Sequence, residues 1–569
     1  MKPRKKYSHS GCINCKKSSI KCDEALTGCL SCKRKGWNCE YENKIFVYQP
    51  DQDTVKRKRF KKVKWKEQAN PIETKVSPAN TFGFIGELID IYKEYSEERN
   101  HGNDLKIDHQ MLNCKALDEA SMRNHLRVPE YVQHWKPYNK ERCDELQEKL
   151  DARGIRKENL HFHEYDAEVQ EFIFHYFIST KAVYNFILVP DDEDNCISRW
   201  FLLFAPKYSI IGLVVNAITC NLLDIRCSDN RWLCIMQRNM SATLDNLSIR
   251  VGECNSFAEM SCYLMSIMFL FSERSATSLD IWRLHLRGAH AILEKCDTLY
   301  SYISNSGERD IQTENAIHMF CFAKNWFVSS ETIACLSAPN GGAVKNISSL
   351  RKLLGYPGGS PEDGFLVGGF NLIKCYSQLL TPVFVEVILF IINFKSTTGI
   401  LLTGSEGILQ DLQYSEELTS LGENLLKKIQ AVETQELDLL SIKDHVLRAY
   451  MKACNRAYCC ALKIYIWSVF LGKSVYGIEV QRCVQTIEEQ LVTMHEIMRF
   501  GLCIHWPLFI AALCAPPGNQ RKILMGALKS ISNNGTFVAQ NTVNRVHSYW
   551  DIIDKGGMIQ EKDFDSITM

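Results

Sequence analysis

The sequence predicts a mostly α-helical protein, in which a basic linker joins a small cysteine-rich N-terminal module to a large all-helical body. Three observations predict this fold class. Six cysteines lie within 28 residues near the N-terminus, a run of lysine and arginine follows, and apolar residues then recur at helical spacing. At 569 residues and 46% hydrophobic, the chain is large enough to bury a real core. We expect the module at residues 1–45, the linker at 46–81 and the body at 82–569.

Charge separates the two ends of the chain. Residues 1–66 carry 19 Lys or Arg and 6 Asp or Glu, whereas the other residues carry 48 and 60. A basic head on an acidic body indicates a polyanionic partner. The N-terminus lacks an apolar signal region, and the later apolar runs, such as the one from Val383, are shorter than the roughly 18 residues of a membrane span. We therefore expect a soluble, intracellular protein with no membrane partner.

The cysteines of the module follow the spacing C-x2-C-x6-C-x6-C-x2-C-x6-C, which repeats with a period of 17 residues. Thiolate sets with C-x2-C pairs are typical of zinc sites, and a disulfide knot is the alternative. Six ligands make two ions four-coordinate if Cys12 and Cys29 bridge them. With no position left for water, the two Zn²⁺ would be structural. The predicted ligands are Cys12, Cys15, Cys22, Cys29, Cys32 and Cys39.

Basic residues adjoin these cysteines in both halves of the repeat. We expect contacts with DNA phosphates or bases rather than a merely solvated face, because Lys and Arg supply most of the phosphate contacts in protein–DNA complexes. These residues are Lys16, Lys17, Lys21, Lys33, Arg34 and Lys35.

The spacing of Cys12 to Cys39 resembles the fungal binuclear zinc cluster transcription factors. The resemblance implies a short helix after Cys15 that enters the major groove of double-stranded DNA and usually reads CGG triplets, often as a dimer. In that family the second and third cysteines typically enclose basic-x-basic-basic-x-basic. Here Ser18 and Ser19 occupy the inner pair, so both join the predicted DNA-binding set and specificity for CGG is in question.

The linker contains the run "KRKRFKKVKWK" at residues 56–66, which is typical of a nuclear localisation signal or a nucleic-acid contact. A merely solvated segment is the alternative. Pro71 and Pro78 then break any helix. The next apolar stretch is too short for a coiled coil, so the sequence does not decide whether the chain forms a homodimer. The predicted signal residues are Lys56, Arg57, Lys58, Arg59, Lys61, Lys62, Lys64 and Lys66.

Helical periodicity dominates the body. Apolar stripes predict helices around Trp282, Leu286, Ala289 and Leu293, around Leu418, Leu421, Leu425, Ile429 and Val432, and around Ile487, Leu491, Met494 and Met498. Thr486 and Glu489 fit a capping box at the start of the last helix. The segment "FAEMSCYLMSIMFLF" predicts a long buried helix.

Three body segments also resemble the all-helical regulatory domain of zinc cluster activators, particularly those controlling lysine synthesis and GABA use. They are "WRLHLRGAHAIL", "WPLFIAALCA" and "SYWDIID". The resemblance implies a regulatory domain and not an enzyme. The glycine-rich stretch 355–369 lacks the P-loop lysine and favours a loop. The 18 scattered body cysteines are interpreted as small hydrophobes, with redox or electrophile sensing as the alternative where a thiol is exposed and has a lowered pKa.

Together these features predict a nuclear transcription regulator that binds double-stranded DNA, contacts the transcription machinery and acts at RNA polymerase II promoters through GC-rich, CGG-like elements. The alternative is a zinc-cluster scaffold with weak or altered sequence specificity, recruited by protein partners. Ser18 and Ser19 motivate that alternative.

Overall fold

The chain divides into two compact units, Met1–Thr74 and Lys75–Met569. The computed structural model describes, in the first unit, residues 13–18, 30–35 and 37. In the second unit it describes residues 196–205, 207–227, 230–272, 281–303, 310–358, 365–398, 416–440, 442, 445–494, 504–533 and 537–555.

Of the described residues, 79% are helical, which confirms a mostly α fold. The N-terminal unit contains α1 (Ile13–Lys17) and α2 (Leu30–Lys35). The helices of the C-terminal unit are α3 (Cys196–Phe204), α4 (Ser209–Cys227), α5 (Asn230–Arg250), α6 (Phe257–Phe271), α7 (Ile281–Ile303), α8 (Ile311–Ser337), α9 (Ile347–Leu354), α10 (Thr381–Thr398), α11 (Glu416–Thr434), α12 (His445–Val469), α13 (Ile478–Met494), α14 (His505–Leu513), α15 (Asn519–Asn533) and α16 (Phe537–Asp554).

Helix α6 lies in the interior of the body, where it packs against α4, α7 and α8. All of its side chains are buried except those of Ala258 and Glu259. The hydroxyl of Ser256 caps its N-terminus by accepting from the Glu259 N–H at 3.4 Å. A helix that is apolar on every side is stable only when it is surrounded, so this element confirms the predicted buried helix.

The two predicted apolar stripes in α7 and α11 are confirmed. Trp282, Leu286, Ala289 and Leu293 are buried along α7. In α11 the same holds for Leu418, Leu425, Ile429 and Val432, while Leu421 is partly buried against the same core.

The predicted capping box in α13 is wrong. The helix begins at Ile478, eight residues before Thr486. The Thr486 hydroxyl instead donates to the Arg482 carbonyl at 2.9 Å, as threonine does inside a helix. Glu489 accepts from the Gln485 amide at 3.1 Å, and Met498 lies outside the described residues.

The body is not purely helical, because three two-residue strands form a small antiparallel sheet of order β1-β2-β3. They are β1 (Leu366–Val367), β2 (Phe370–Asn371) and β3 (Tyr376–Ser377). Val367 pairs with Phe370 across Gly368 and Gly369, whose φ angles of 53° and 81° fit a type I′ hairpin turn. In the described part of the glycine-rich stretch, Gly355 caps the end of α9 and residues 366–369 belong to the hairpin, so the predicted loop is neither a strand-to-helix turn nor a phosphate cradle there.

The sheet carries Tyr376 into a cluster of aromatic rings that joins four elements. Tyr376 stands 4.8 Å from Phe384 of α10 and 4.9 Å from Tyr458 of α12, measured between ring centroids. Trp506 of α14 lies 5.8 Å from Phe384 and 5.9 Å from Tyr458. Because such contacts add to the area each ring buries, this cluster ties the middle of the chain to its C-terminal helices.

One described helix is long and apolar enough to cross a membrane by length and composition. It spans Gln378–Thr397, with a mean hydropathy of 1.8. The prediction that the run from Val383 is too short was wrong, because the 3₁₀ turn Gln378–Leu380 extends α10 towards the N-terminus. A single such helix is weak evidence for a span, since core helices of soluble proteins pass the same test. Val383, Phe384 and Val387 of this helix lie in the continuous core of the body.

Candidate metal centre and nucleic-acid interface

The two short helices of the N-terminal unit repeat the 17-residue period of the sequence. Helix α1 begins one residue after Cys12, and α2 begins one residue after Cys29. The third residue of each helix is a fully buried cysteine, Cys15 or Cys32, and the two helices contact each other. The internal repeat in the sequence is thus also a repeat in structure.

The donor chemistry of this segment fits zinc. Cys15 and Cys32 are fully buried, and thiolates are preferred zinc ligands. The other predicted ligands, Cys12, Cys22, Cys29 and Cys39, lie outside the described residues. Because only two of the six predicted ligands are described, the described part of the chain holds no group of three or more metal-ligating side chains. Two buried thiols on adjoining helices are nevertheless what a metal-held module requires.

Exposed cations follow both buried cysteines. Lys17 ends α1, and Lys33, Arg34 and Lys35 form the last turn of α2, all with exposed side chains. Cations at the C-terminal end of a helix also interact favourably with its dipole, so placing positive charges there does not destabilise the helix. The arrangement leaves positive charge in solvent on both helices, where a phosphate could reach it.

Trp37 extends this basic surface, and the sequence analysis overlooked it. The Lys35 ammonium lies 4.5 Å from the centroid of the Trp37 ring, and the ring is 37% exposed. The backbone N–H of Trp37 donates to the Cys32 carbonyl at 3.0 Å, which ties the backbone of this residue to the end of α2. An aromatic residue within the stretch "CKRKGWNC" is the signal that could have revealed it, since aromatic rings often accompany cations on nucleic-acid surfaces.

Helix α1 differs from the expectation that a short helix follows Cys15. It begins two residues before that cysteine and ends at Lys17. Ser18 is an exposed turn residue whose N–H donates to the Asn14 carbonyl at 3.0 Å. Lys16 belongs to α1, whereas Ser19, Lys21 and the predicted nuclear localisation residues of 56–66 lie outside the described residues.

Buried charged groups in the described part of the body make hydrogen bonds that hold the fold. The Glu331 carboxylate accepts from the N–H groups of Ala343 and Val344 at 2.9 and 2.8 Å. Burial raises its pKa, and these hydrogen bonds oppose that change. A Cβ on Gly342 would stand 2.2 Å from a Glu331 oxygen, so the loop closes around the carboxylate only with glycine there.

Lys374 is the second such group. Its ammonium donates to the Tyr356 carbonyl at 2.7 Å, and burial lowers its pKa to about 7. Asn371 accepts from the N–H groups of Ile373 and Lys374, and its amide donates to Asn325 of α8. These bonds fasten the small sheet to the helices.

Comparison with family models identifies two regions of the chain. Residues 10–45 match the fungal Zn(2)-Cys(6) binuclear cluster domain, and residues 172–563 match the fungal specific transcription factor domain. No curated protein and no solved structure matches the chain. The second match spans more than half of the sequence and includes the segments around Trp282, Trp506 and Trp550 that suggested the resemblance.

Both domains are those of transcription factors, which confirms that the chain is not an enzyme. A binuclear cluster domain binds zinc and contacts DNA, in agreement with the buried thiols and exposed cations of α1 and α2. The chain therefore belongs to the fungal-specific transcription factors that carry an N-terminal Zn(2)-Cys(6) binuclear cluster, and it is a zinc-binding transcription regulator.

Proposed function

We propose that this regulator acts in the nucleus at RNA polymerase II promoters and reads short GC-rich, CGG-like elements through its zinc cluster. The observation that carries the proposal is the cluster domain at residues 10–45, with Cys15 and Cys32 buried and cations exposed beside them. A protein of this kind needs a folded reading head and positive charge to hold it on the phosphate backbone.

In this proposal two structural Zn²⁺ are bound by six thiolates. One ion takes Cys12, Cys15, Cys22 and Cys29, and the other takes Cys12, Cys29, Cys32 and Cys39. Cys12 and Cys29 are shared because each opens one half of the repeat. When bound, the metal supplies the folding free energy of the head, on the order of 10 to 16 kcal/mol in zinc-finger peptides. Two Zn²⁺ and six thiolates add a charge of about −2, so the head stays strongly basic.

The DNA contacts divide into positioning and reading. Lys17, Lys33, Arg34 and Lys35 have exposed side chains that suit phosphate contacts, and Lys16 and Lys21 complete the positioning set by sequence. Ser18 and Ser19 take the reading position. A serine hydroxyl both donates and accepts hydrogen bonds, so it discriminates among bases less sharply than a lysine aimed at guanine.

The proposals for nuclear import, the transcription machinery and a homodimer are inferred from the sequence. The basic run 56–66 would direct nuclear import and add backbone contacts. The body would relay a signal to the transcription machinery. By analogy with the family, the regulator would bind two half-sites as a homodimer.

Zinc analysis of Cys22→Ala tests the binuclear cluster. We expect the variant to lose zinc and DNA binding, because Cys22 has no substitute in its site. The matched control is Cys514→Ala, a buried cysteine of α14's C-terminal cap. It should keep two zinc ions per chain. A Cys22→Ala protein that keeps two zinc ions and its fold would show that the ligand assignment is wrong.

The scaffold alternative is favoured by one observation, the exposed Ser18 in the turn after α1. Selection of preferred sites from randomised DNA separates the two functions. A sequence-specific regulator enriches a short GC-rich motif, whereas a scaffold enriches none and binds random and CGG-containing duplexes with the same steep salt dependence.

The variant Ser19→Lys should raise the affinity of the protein for CGG-containing DNA. Unchanged affinity and preference would mean that residue 19 is not a reading position.

A further inference from the structure

A cavity of about 670 Å³ opens in the body between the C-terminal end of α9 and the N-terminal part of α10. The two helices pack against each other, and the 3₁₀ turn Gln378–Leu380 that precedes α10 borders the cavity. Its volume lies within the range of small-molecule sites, which is roughly 300 to 1,000 Å³. No part of the function proposed above uses this cavity.

One wall of the cavity is apolar. Pro382, Val385 and Leu389 of α10 follow one another at intervals of three and four residues, so they share one face of the helix. Val385 and Leu389 are only partly buried, and Leu379 of the 3₁₀ turn is 39% exposed. These four residues form an apolar wall that is open to solvent and could cover the apolar part of a ligand.

Two polar side chains on the cavity lack a hydrogen-bond partner. Thr381, the first residue of α10, is only 6% exposed, yet its hydroxyl oxygen makes no hydrogen bond. The side-chain amide of Gln378 also makes none with the described residues. Leaving a buried hydroxyl unpaired costs free energy, so buried hydroxyls are usually satisfied. Both groups are therefore available to hydrogen-bond a polar atom of a ligand.

The charge of the cavity favours an anion. Its two ionisable side chains are Arg351 of α9 and Glu386 of α10. The Glu386 carboxylate forms an ion pair with Lys428 of α11, whereas the exposed Arg351 guanidinium has no ion-pair partner among the described residues. The positive end of the α10 dipole lies on the same cavity. One positive charge is thus left without a counter-ion.

We propose that this cavity binds a small organic monocarboxylate with an apolar body. The Arg351 guanidinium pairs with the carboxylate, Thr381 and Gln378 hydrogen-bond polar atoms of the ligand, and the apolar wall covers its body. A cationic ligand is disfavoured because Glu386 already has a partner, and a second carboxylate would find no further unpaired cation in the cavity. The proposal concerns the body alone, so it is independent of the DNA sequence that the head recognises.

Calorimetric titration of the full-length, zinc-loaded protein with 3-phenylpropanoate tests this proposal. The control ligand is 3-phenylpropanamide, which has the same apolar body without the charge. We expect saturable binding of the carboxylate and binding of the amide about tenfold weaker, because hydrogen bonds between charged groups are the stronger ones. Absence of saturable carboxylate binding, or equal affinity for the two compounds, would overturn the proposal. The titration contains no DNA, so failure of the proposed DNA reading would not alter its result.

Variants of the lining residues locate the site. Arg351→Gln should weaken the binding of 3-phenylpropanoate about tenfold. The matched control is Lys352→Gln, which removes the same charge from the next residue of α9, an exposed position that does not line the cavity. It should change the affinity by about twofold or less, because solvent screens a charge outside the site. Equal affinities of the two variants would show that the carboxylate binds elsewhere.

Thr381→Val separates a ligand contact from a structural role. The substitution keeps the shape of the side chain and removes the unpaired hydroxyl. We expect weaker binding of 3-phenylpropanoate without a loss of unfolding free energy in the ligand-free protein, since no hydrogen bond is broken there. Denaturant titration and calorimetry measure the two quantities. A variant that loses stability and keeps its affinity would show that the hydroxyl serves the fold and not a ligand.

Discussion

The N-terminal unit and the body achieve a folded state by different physical means. In the short helices of the N-terminal unit, the thiols of Cys15 and Cys32 are fully buried. The body instead buries one continuous apolar core that runs from Ile197 to Trp550. A segment as short as the cluster domain depends on metal binding for its folding free energy, whereas a body of this size is stabilised by the hydrophobic effect. The two regions should therefore respond independently to perturbation.

The same contrast appears in what each region leaves on its surface. The head carries its cations exposed at the ends of α1 and α2, where they remain available to DNA. The body engages its buried charges internally, as Glu331 does with the N–H groups of Ala343 and Val344. The exposed charges of the head are thus available to bind a partner, whereas the buried charges of the body stabilise its own fold.

Zinc removal should give the largest effect. Chelation removes a contribution on the order of 10 kcal/mol from the head, so we expect DNA binding to be lost completely. The thermal unfolding of the body should stay unchanged, because its core contains no predicted zinc ligand. Fluorescence anisotropy with labelled DNA and calorimetry of the same sample measure the two responses. A fall in the unfolding temperature of the body would contradict the independence of the two regions.

A core substitution in the body should give the reverse pattern. Trp506→Ala removes a fully buried ring that contacts Phe384 and Tyr458, so we expect the body to lose about 4 kcal/mol of unfolding free energy. Zinc content should remain at two ions per chain. Chemical denaturation followed by circular dichroism gives the first value, and metal analysis gives the second.

Trp37→Ala is the matched control for that experiment, because Trp37 lies on the basic surface of the head with 37% of its area exposed. It should leave the stability of the body unchanged and weaken DNA binding. If Trp506→Ala released zinc, the aromatic cluster would be stabilising the head as well, contrary to this comparison.

Sequence reasoning succeeded where a pattern is local. The period of 17 residues around Cys15 and Cys32 predicted two equivalent halves, and both appear as short helices. Apolar spacing predicted α7 and α11, because a helix that buries one face must place apolar residues every three or four positions. The cysteine spacing also indicated the family before any fold was known.

It failed where the outcome depends on tertiary packing. The strands around Phe370 are two residues long, too short for alternation to be visible. The Thr486 pattern matched a capping box, yet α13 had already begun at Ile478.

Acidification should destabilise the body through a buried histidine. Burial lowers the pKa of His505 to about 3, whereas an unfolded histidine titrates near 6.5. Below pH 6.5 the unfolded chain binds a proton that the folded chain does not, so stability present above pH 6.5 is lost as the pH falls towards 3. Between pH 7 and pH 5 this one residue should cost about 2 kcal/mol.

Replacing the imidazole isolates this contribution. His505→Gln should flatten the dependence of unfolding free energy on pH by about 1.4 kcal/mol per unit below pH 6. His547→Gln, at an exposed position of α16, provides the control, because it leaves the buried imidazole of His505 in place. Denaturant titrations at several pH values measure all three proteins. Equal slopes in the two variants would show that His505 takes up a proton in the folded state.

The smallest effect should come from an ion pair at the edge of the core. Lys324 of α8 and Asp297 of α7 are 2.5 Å apart, and their side chains are only partly exposed. Because both charges retain contact with water, a double-mutant cycle should give a coupling energy of about 1 kcal/mol or less, and it should decrease in high salt. The better exposed pair Lys473 and Glu479 should show weaker coupling in the same assay. A coupling energy at Lys324 as large as the loss from Trp506→Ala would mean that ion pairs stabilise the body as much as apolar burial does. The proposed difference between the body and the head would then be wrong.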